Sequence, residues 1–507
     1  MNPNSMSNLA LQGRHCHELS FSFHNGCAID TDEKLLLTLC AAVPAARPVR
    51  EDFAMISAEK SYWFFLLSLM LLAVLAFMVP SATAQEAALK FDPQKYTSLV
   101  DASSPDTIPV GTKITLQNWR QYRGFMPVGL QALYEGKYPW KFGSEPDYTV
   151  EVGPTTPIPM PKKFATDTEK YSGQAKLKLI ADGGYTVENY QAGLPFPSPK
   201  EPQLGYKVVY NNWYYWRPYV YTYLSTLYRV DRNMSVYKTT GGVNNWRVSH
   251  LSDDDMPMEM PYAGPYFLLI RNPQFTPEQN RYITTLQMLY SDPAHVQDSY
   301  NFLPTLRRSL RLSTASRCAP ITGSDWVYDD NGGGMYFQVP SFNVKVLGKK
   351  KILALVHEKQ CTKSDKKDCF TIDGSVPGWP KPELGPWEVI DAYVLDITPL
   401  PSLGRYCYPH KIAYVANTNA WVLVWWEVYD DNGNFWKIDK ASYRPVEVGN
   451  GEETTINGIV DASVLDVQDH HASVSLNTDV RVDKQVDTEL QNAKIWGFPG
   501  GLDRVLR

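Results

Sequence analysis

From Ala175 onward the sequence is cut into short runs of β-branched and aromatic residues, each closed by Gly, Pro, Asn or Asp. Such punctuation leaves little room for a long helix, because Pro and Gly interrupt the backbone before a 3.6-residue apolar face can repeat. The stretch Ala175-Lys176-Leu177-Lys178-Leu179 alternates apolar with charged residues, and Asp182-Gly183-Gly184 turns it toward Tyr185-Thr186-Val187 as a hairpin. Further strands are predicted at Lys207–Tyr210, Tyr219–Tyr228, Pro265–Ile270, Ile283–Tyr290, Val344–Val356 and Trp387–Ile397. A meander follows at Lys411–Val415, Ala420–Tyr429 and Asn434–Ile438, with Asn417-Thr418-Asn419 and Asp430-Asp431-Asn432-Gly433 as its turns. Val128–Tyr134 is a short helix candidate. The 31 Tyr, 14 Trp, 19 Phe and 37 Pro favour pleated strands and ordered loops over helices, so the expected fold class is mainly β with antiparallel pairing.

The region before these strands has a different logic. After Met55 an apolar run extends from Tyr62 to Val79, Pro80 ends it, and Ser81-Ala82-Thr83-Ala84-Gln85 places small residues where a signal peptidase reads. Residues 55–84 are therefore read as a signal peptide cut after Ala84, although the run is also long enough for a membrane anchor. Gln85 stands where a lipoprotein needs cysteine, which argues against lipid attachment. Met55 is the better start, and 1–54 is read as a disordered upstream extension; its His15, Cys16, His17, His24 and Cys27 lack CxxC-type spacing. Residues 85–169 form a proline-rich lead-in packed on the sheet, 170–445 the sheet domain, and 446–507 a polar C-terminal arm whose Trp496 and Phe498 dock its end.

Composition and motifs exclude several functions. The formal net charge is −5, without the basic face that nucleic acid requires. There is no GxSxG elbow, no phosphate loop ending in Lys-Ser/Thr and no HExxH helix, so no catalytic residues, cofactor or enzymatic activity are expected. Asp329-Asp330-Asn331-Gly332 and Asp430-Asp431-Asn432-Gly433 lack the closing Glu of a twelve-residue calcium loop and read as turns, with no metal site. Beyond the signal lie Cys318, Cys361, Cys369 and Cys407, an even count that suits two disulfides in an exported chain. Three pairings are open; the most economical joins Cys361 to Cys369 across a polar loop and Cys318 to Cys407.

Two clusters carry the functional alternatives. Trp213, Trp216, Trp421 and Trp425 are core in a closed sheet, or line an apolar concavity able to hold acyl chains in a curved, open one. Arg307, Arg308 and Arg311 form a cationic ladder that meets either phosphate head groups or acidic neighbouring strands.

The segment Gly193-Leu194-Pro195-Phe196-Pro197 resembles the signature of a bacterial family of unknown function described as outer-membrane lipoprotein-sorting-like. Pro304-Thr305-Leu306-Arg307-Arg308, Gly323-Ser324-Asp325-Trp326 with Asp329-Asp330, Arg405-Tyr406-Cys407 and Tyr429–Gly433 are similar to its later motifs, so the likeness spans roughly residues 90 to 445. It implies a fold like the LolA and LolB carriers, a curved antiparallel sheet forming an incomplete barrel with helices or loops plugging its open side. It also implies a periplasmic or outer-membrane setting and a hydrophobic, lipid or lipoprotein cargo, with a porin-like outer-membrane protein and a lipid-exporting transporter as partners. The alternative is a structural accessory subunit docking on such a partner.

Overall fold

The structure, a computed structural model, describes residues 89–97, 107–140, 142–143, 149–313, 317–330, 338–372, 376–448 and 452–506. The upstream extension and the signal segment lie outside the described residues.

Two short pairs come first: β1 (Lys113–Ile114) with β2 (Val150–Glu151), and the hairpin of β3 (Lys176–Leu179) with β4 (Tyr185–Glu188). The remaining strands form one 13-stranded sheet built from two antiparallel meanders. The first runs through β5 (Val220–Val230), β6 (Val236–Arg247), β7 (Tyr266–Thr276), β8 (Thr284–Tyr290), β9 (Asp298–Leu303) and β10 (Arg308–Arg311). The second runs through β11 (Phe342–Ala354), β12 (Glu388–Pro399), β13 (His410–Ala416), β14 (Leu423–Tyr429), β15 (Phe435–Glu447), β16 (Glu453–Asp466) and β17 (His471–Val482). They join where β17 pairs antiparallel with β5, which leaves β10 and β11 as the two edges. The sheet is mainly antiparallel and unclosed, as the sequence suggests.

Its curvature follows from what meets across it. Leu268 on β7 and Trp426 on β14 line one cavity, yet they stand six strands apart, about 28 Å along a flat sheet at the usual inter-strand spacing. Only a strongly rolled sheet brings them together. Register shifts at Thr240/Gly241, Tyr414/Val415, Ala441/Tyr443 and Val460/Ala462 supply the local bends.

Helices cover both faces. On the convex side, α1 (Val128–Tyr134) occupies the span predicted for it, and the backbone N–H of Gly129 donates to Glu427 Oε1 at 2.6 Å. The ten-residue helices α2 (Lys162–Tyr171) and α3 (Leu204–Trp213) follow. The expected strand Lys207–Tyr210 is the middle of α3. Val208, Val209 and Tyr210 are all buried, so the run is apolar around the whole helix and carries neither period. On the concave side, α3 spans the second meander: Tyr206 Oη donates to the Phe342 carbonyl at 2.6 Å and Asn212 Nδ2 to the Trp421 carbonyl at 2.7 Å.

The C-terminal part also differs from expectation. Residues 453–482 are two central strands, and only the segment after Val482 forms an arm, packing Trp496, Phe498 and Leu502 against the convex side of the first meander. Two features hid β16 and β17. Asn457-Gly458 reads as a turn, but a Cβ at Gly458 would lie 2.1 Å from Glu358 Oε2, so glycine serves a close approach within a strand. Ser473 and Ser475 face the concave side, which made the stretch look polar.

Candidate functional site

The concave face is divided into a filled part and a hollow part. Over the second meander the segment from Arg317 to Asp330 acts as a plug, tied to the start of β13 by the disulfide between Cys318 and Cys407, whose Cα atoms are 5.7 Å apart. Arg317 Nη2 lies 2.8 Å from Asp329 Oδ2, and the same carboxylate accepts the Tyr406 hydroxyl at 2.6 Å. Asp330 accepts Lys411 Nζ at 2.7 Å and Tyr408 Oη at 2.8 Å. Trp326 Nε1 donates to Asp439, and Lys437 Nζ donates to the Asp325 carbonyl at 2.6 Å. Charge removed from water is costly unless paired, and here each buried acid of the plug meets a cation or several donors. The carboxyls of Asp329 and Asp439 are nevertheless pushed up, in both cases first by burial.

Where the plug ends, at the seam between the meanders, a cavity remains with about 220 Å³ open to the centre of a water molecule. At roughly 30 Å³ per water in the liquid, this space is room for on the order of seven waters, well beyond a packing defect. Alternation along each strand builds its walls: Ser225 and Leu227 on β5, Val243 and Asn245 on β6, Leu268 and Ile270 on β7. Ile321 and Trp326 of the plug close one side, with Trp426 behind them. A polar group lies at Arg217, Asn457 and Asp461, where the register shift between Val460 and Ala462 breaks the alternation of β16. Asn457 Nδ2 donates to Asp461, while burial pushes that carboxyl up. A trough whose apolar walls are interspersed with polar side chains such as Ser225, Asn245 and Ser475, with the charged groups Arg217 and Asp461 beside them, suits an amphiphile.

Of the four tryptophans proposed as cargo-lining, Trp216 lines this cavity. Trp213 is buried and stacks on Phe267 at 6.2 Å, and Trp421 is buried and stacks on Tyr393 at 6.0 Å. Trp425 points to the convex face, where its Nε1 donates to the Leu353 carbonyl at 2.8 Å; its neighbour Trp426 holds the concave position. A period-2 count along β14 separates the two residues but does not say which face is hollow.

The signature segment is a structural clasp. Gly193 has φ +75° and the backbone of Thr168 against it, the Leu194 N–H donates to Thr168 Oγ1 at 2.9 Å, and Phe196 exchanges two hydrogen bonds with Asn211. Pro195 and Pro197 flank that exchange, so the segment ties α2 to α3. The arginine ladder is an exposed edge: Arg308 to Arg311 form β10, Arg307 sits in the turn before it with φ +48°, and Arg311 pairs with Asp298. Cys361 pairs with Cys369, so both disulfides take the economical arrangement. Asp430 accepts the N–H groups of Asn432 and Asn434 at 2.9 and 2.8 Å, with Gly433 at φ +72°, which is turn chemistry.

Residues 113–496 match a family described as protein of unknown function, DUF1329. No curated protein matches the chain. Among solved structures, a domain from Vibrio parahaemolyticus named for outer membrane lipoprotein sorting is 10% identical, with 58% of this chain and 99% of that one covered at a TM-score of 0.39. A DUF1329 family protein from Desulfovibrio piger is 14% identical, with 58% and 97% covered at 0.39. A LolA superfamily protein from Nitrosomonas europaea is 12% identical, with 55% and 93% covered at 0.31.

Proposed function

This chain belongs to the DUF1329 family, and from that premise we propose that it is a non-enzymatic carrier that shelters one apolar chain of a lipid, lipoprotein or similar cargo in the cavity at the seam of its sheet. The observation that carries the reading is the cavity itself. A rolled sheet of this size could have been filled throughout, as it is over the second meander, yet at the seam the strand side chains Leu227, Val243, Leu268 and Ile270 face open space. In this reading the acyl part lies along those residues and the polar end meets Arg217, Asn457 and Asp461. The compartment we infer is the periplasm or the inner face of the outer membrane. The signal-like segment and the two disulfides support it, since disulfides persist in oxidising compartments. A porin-like outer-membrane protein and a lipid-exporting transporter are the proposed donor or acceptor of the cargo.

The test is extraction of the protein purified from its native envelope, with mass spectrometry of what co-purifies, beside titration with a fluorescent acyl probe. Lipid in the extract and saturable probe binding are expected, and Leu227→Trp, which fills the trough, should weaken probe binding at least tenfold. An empty extract together with probe binding unchanged by Leu227→Trp would overturn the carrier reading.

A further inference from the structure

In an antiparallel meander every second turn lies at the same end, so the hairpins β5–β6, β7–β8 and β9–β10 turn at one end of the sheet. Of the eight large apolar residues exposed among the described residues, five stand on two of these hairpins: Met234, Val236 and Tyr237 on the first, Leu306 and Leu310 on the third. β7 pairs with β6 only as far as Thr240, opposite Thr276, so Val236 to Thr239 project beyond it. The same end is cationic. Residues 229–238, 277–283 and 303–311 hold seven basic side chains and two acidic ones, in a chain whose formal net charge is −5. The acids there are already engaged: Asp231 accepts the N–H groups of Asn233 and Ser235 at 2.8 and 2.9 Å, and Glu278 lies 3.4 Å from Arg281 Nη1. Arg232, Arg307 and Arg308 are exposed and form no ion pair among the described residues.

We propose that this end docks on an anionic lipid surface, with Met234 and Leu306 entering the acyl boundary and Arg232, Arg307 and Arg308 meeting lipid phosphates. Apolar side chains held in water beside uncompensated guanidinium groups are complementary to such an interface in both apolarity and charge. The arrangement fits a bilayer better than a protein partner. β6 and β9 stand three strand spacings apart, roughly 14 Å, so the two tips form no continuous apolar face, whereas a fluid bilayer admits each tip separately. The docked end also borders the trough. Arg229 Nη1 donates to the Thr322 carbonyl at 2.9 Å, next to Ile321 of the trough wall, and Leu227 lies two residues away on the same strand face. Docking needs no cargo, and under the carrier reading this is the end at which an acyl chain passes between bilayer and trough.

The test is co-sedimentation of the exported protein, purified from its native envelope, with vesicles of phosphatidylethanolamine and phosphatidylglycerol, beside vesicles of phosphatidylcholine alone. Binding to the anionic vesicles should weaken as salt is raised and exceed binding to the neutral ones at least tenfold. Arg232→Gln, Arg307→Gln and Arg308→Gln together should keep the parent's melting temperature, since all three side chains are exposed, and lower anionic binding at least tenfold. Met234→Ser with Leu306→Ser should lower it severalfold while the salt dependence stays. Leu227→Trp, which fills the trough, should leave vesicle binding unchanged, so docking and the carrier reading can fail independently. Equal binding to both kinds of vesicle, or binding unchanged in either folded multiple variant, would overturn the proposal; sedimentation with neither vesicle would overturn it too and leave this end to a protein partner.

Discussion

The two meanders are built from the same strand chemistry but treat their faces differently. In the second, β14 is buried at every residue, with α1 and the lead-in on its convex side and α3 and the plug on the concave side. In the first, β5 alternates between residues facing the seam cavity and residues facing the arm, and β10 is exposed at all four positions. A strand covered on both sides reads as a continuous apolar run, as Leu423–Tyr429 does, whereas a strand beside a cavity keeps polar residues such as Ser225 and Asn245. The comparison teaches that rigidity and binding are separated along one sheet. The filled half anchors the roll, and the seam beside it stays hollow.

The sharpest way to break this contrast is to damage the filled half. Trp425 is 2% exposed and packs against Trp387 with ring centroids 6.0 Å apart, so Trp425→Ala should cost about 3–5 kcal/mol in a denaturant titration. Asp329→Ala leaves the Arg317 guanidinium in the plug without its carboxylate and should cost a similar ~3–5 kcal/mol. If either change is tolerated within about 1 kcal/mol, the second meander is not the rigid anchor described here.

A pH titration sharpens the same point on the convex side. Burial pushes the Glu427 carboxyl up from 4.5 to about 7, against the opposing hydrogen bonds from Tyr96 Oη and the Gly129 N–H. Between those two values the folded protein holds a proton that the unfolded chain has released. Stability is therefore highest below pH 4.5 as far as this group is concerned, and falls as pH rises through 7, by on the order of 3 kcal/mol. Glu427→Gln should flatten that slope relative to the parent protein. Burial lowers the neighbouring Lys350 to about 8 from 10.5, so its window lies above pH 8 and does not overlap. A slope identical in the two proteins would remove Glu427 from the account.

Much of the local structure was legible, and the reason is that its signals are short-range. Val128–Tyr134 and the hairpin at Asp430–Gly433 declare themselves through propensity and turn residues that act within a few positions. The order of the sheet was not, because the pairing of β17 with β5 joins residues about 250 positions apart, as in the Ser225–Ser475 hydroxyl contact. The candidate site was legible only as a class. Aromatic runs announced a sheet with something apolar against it, but β14 presents Trp425 and Trp426 to opposite faces, and only tertiary packing decides which face is hollow.

The smallest effects belong to the first meander, and they test the other side of the comparison. Leu227 is half-buried and faces the trough, so Leu227→Ala enlarges a space that already exists and should cost about 1 kcal/mol or less, below the range for a packed core leucine. Leu310 on the exposed edge strand is 40% exposed, and Leu310→Lys should leave stability within about 0.5 kcal/mol while making the edge less able to pair with another chain. Unfolding titrations give both values, and sedimentation at high concentration reads the second consequence. The ordering matters more than either number. A Leu227→Ala penalty near that of Trp425→Ala would mean that the seam is packed in solution, with its walls collapsed onto one another and no room for an acyl chain; a penalty close to that of Leu310→Lys keeps the trough open and its apolar strand residues free to meet a cargo.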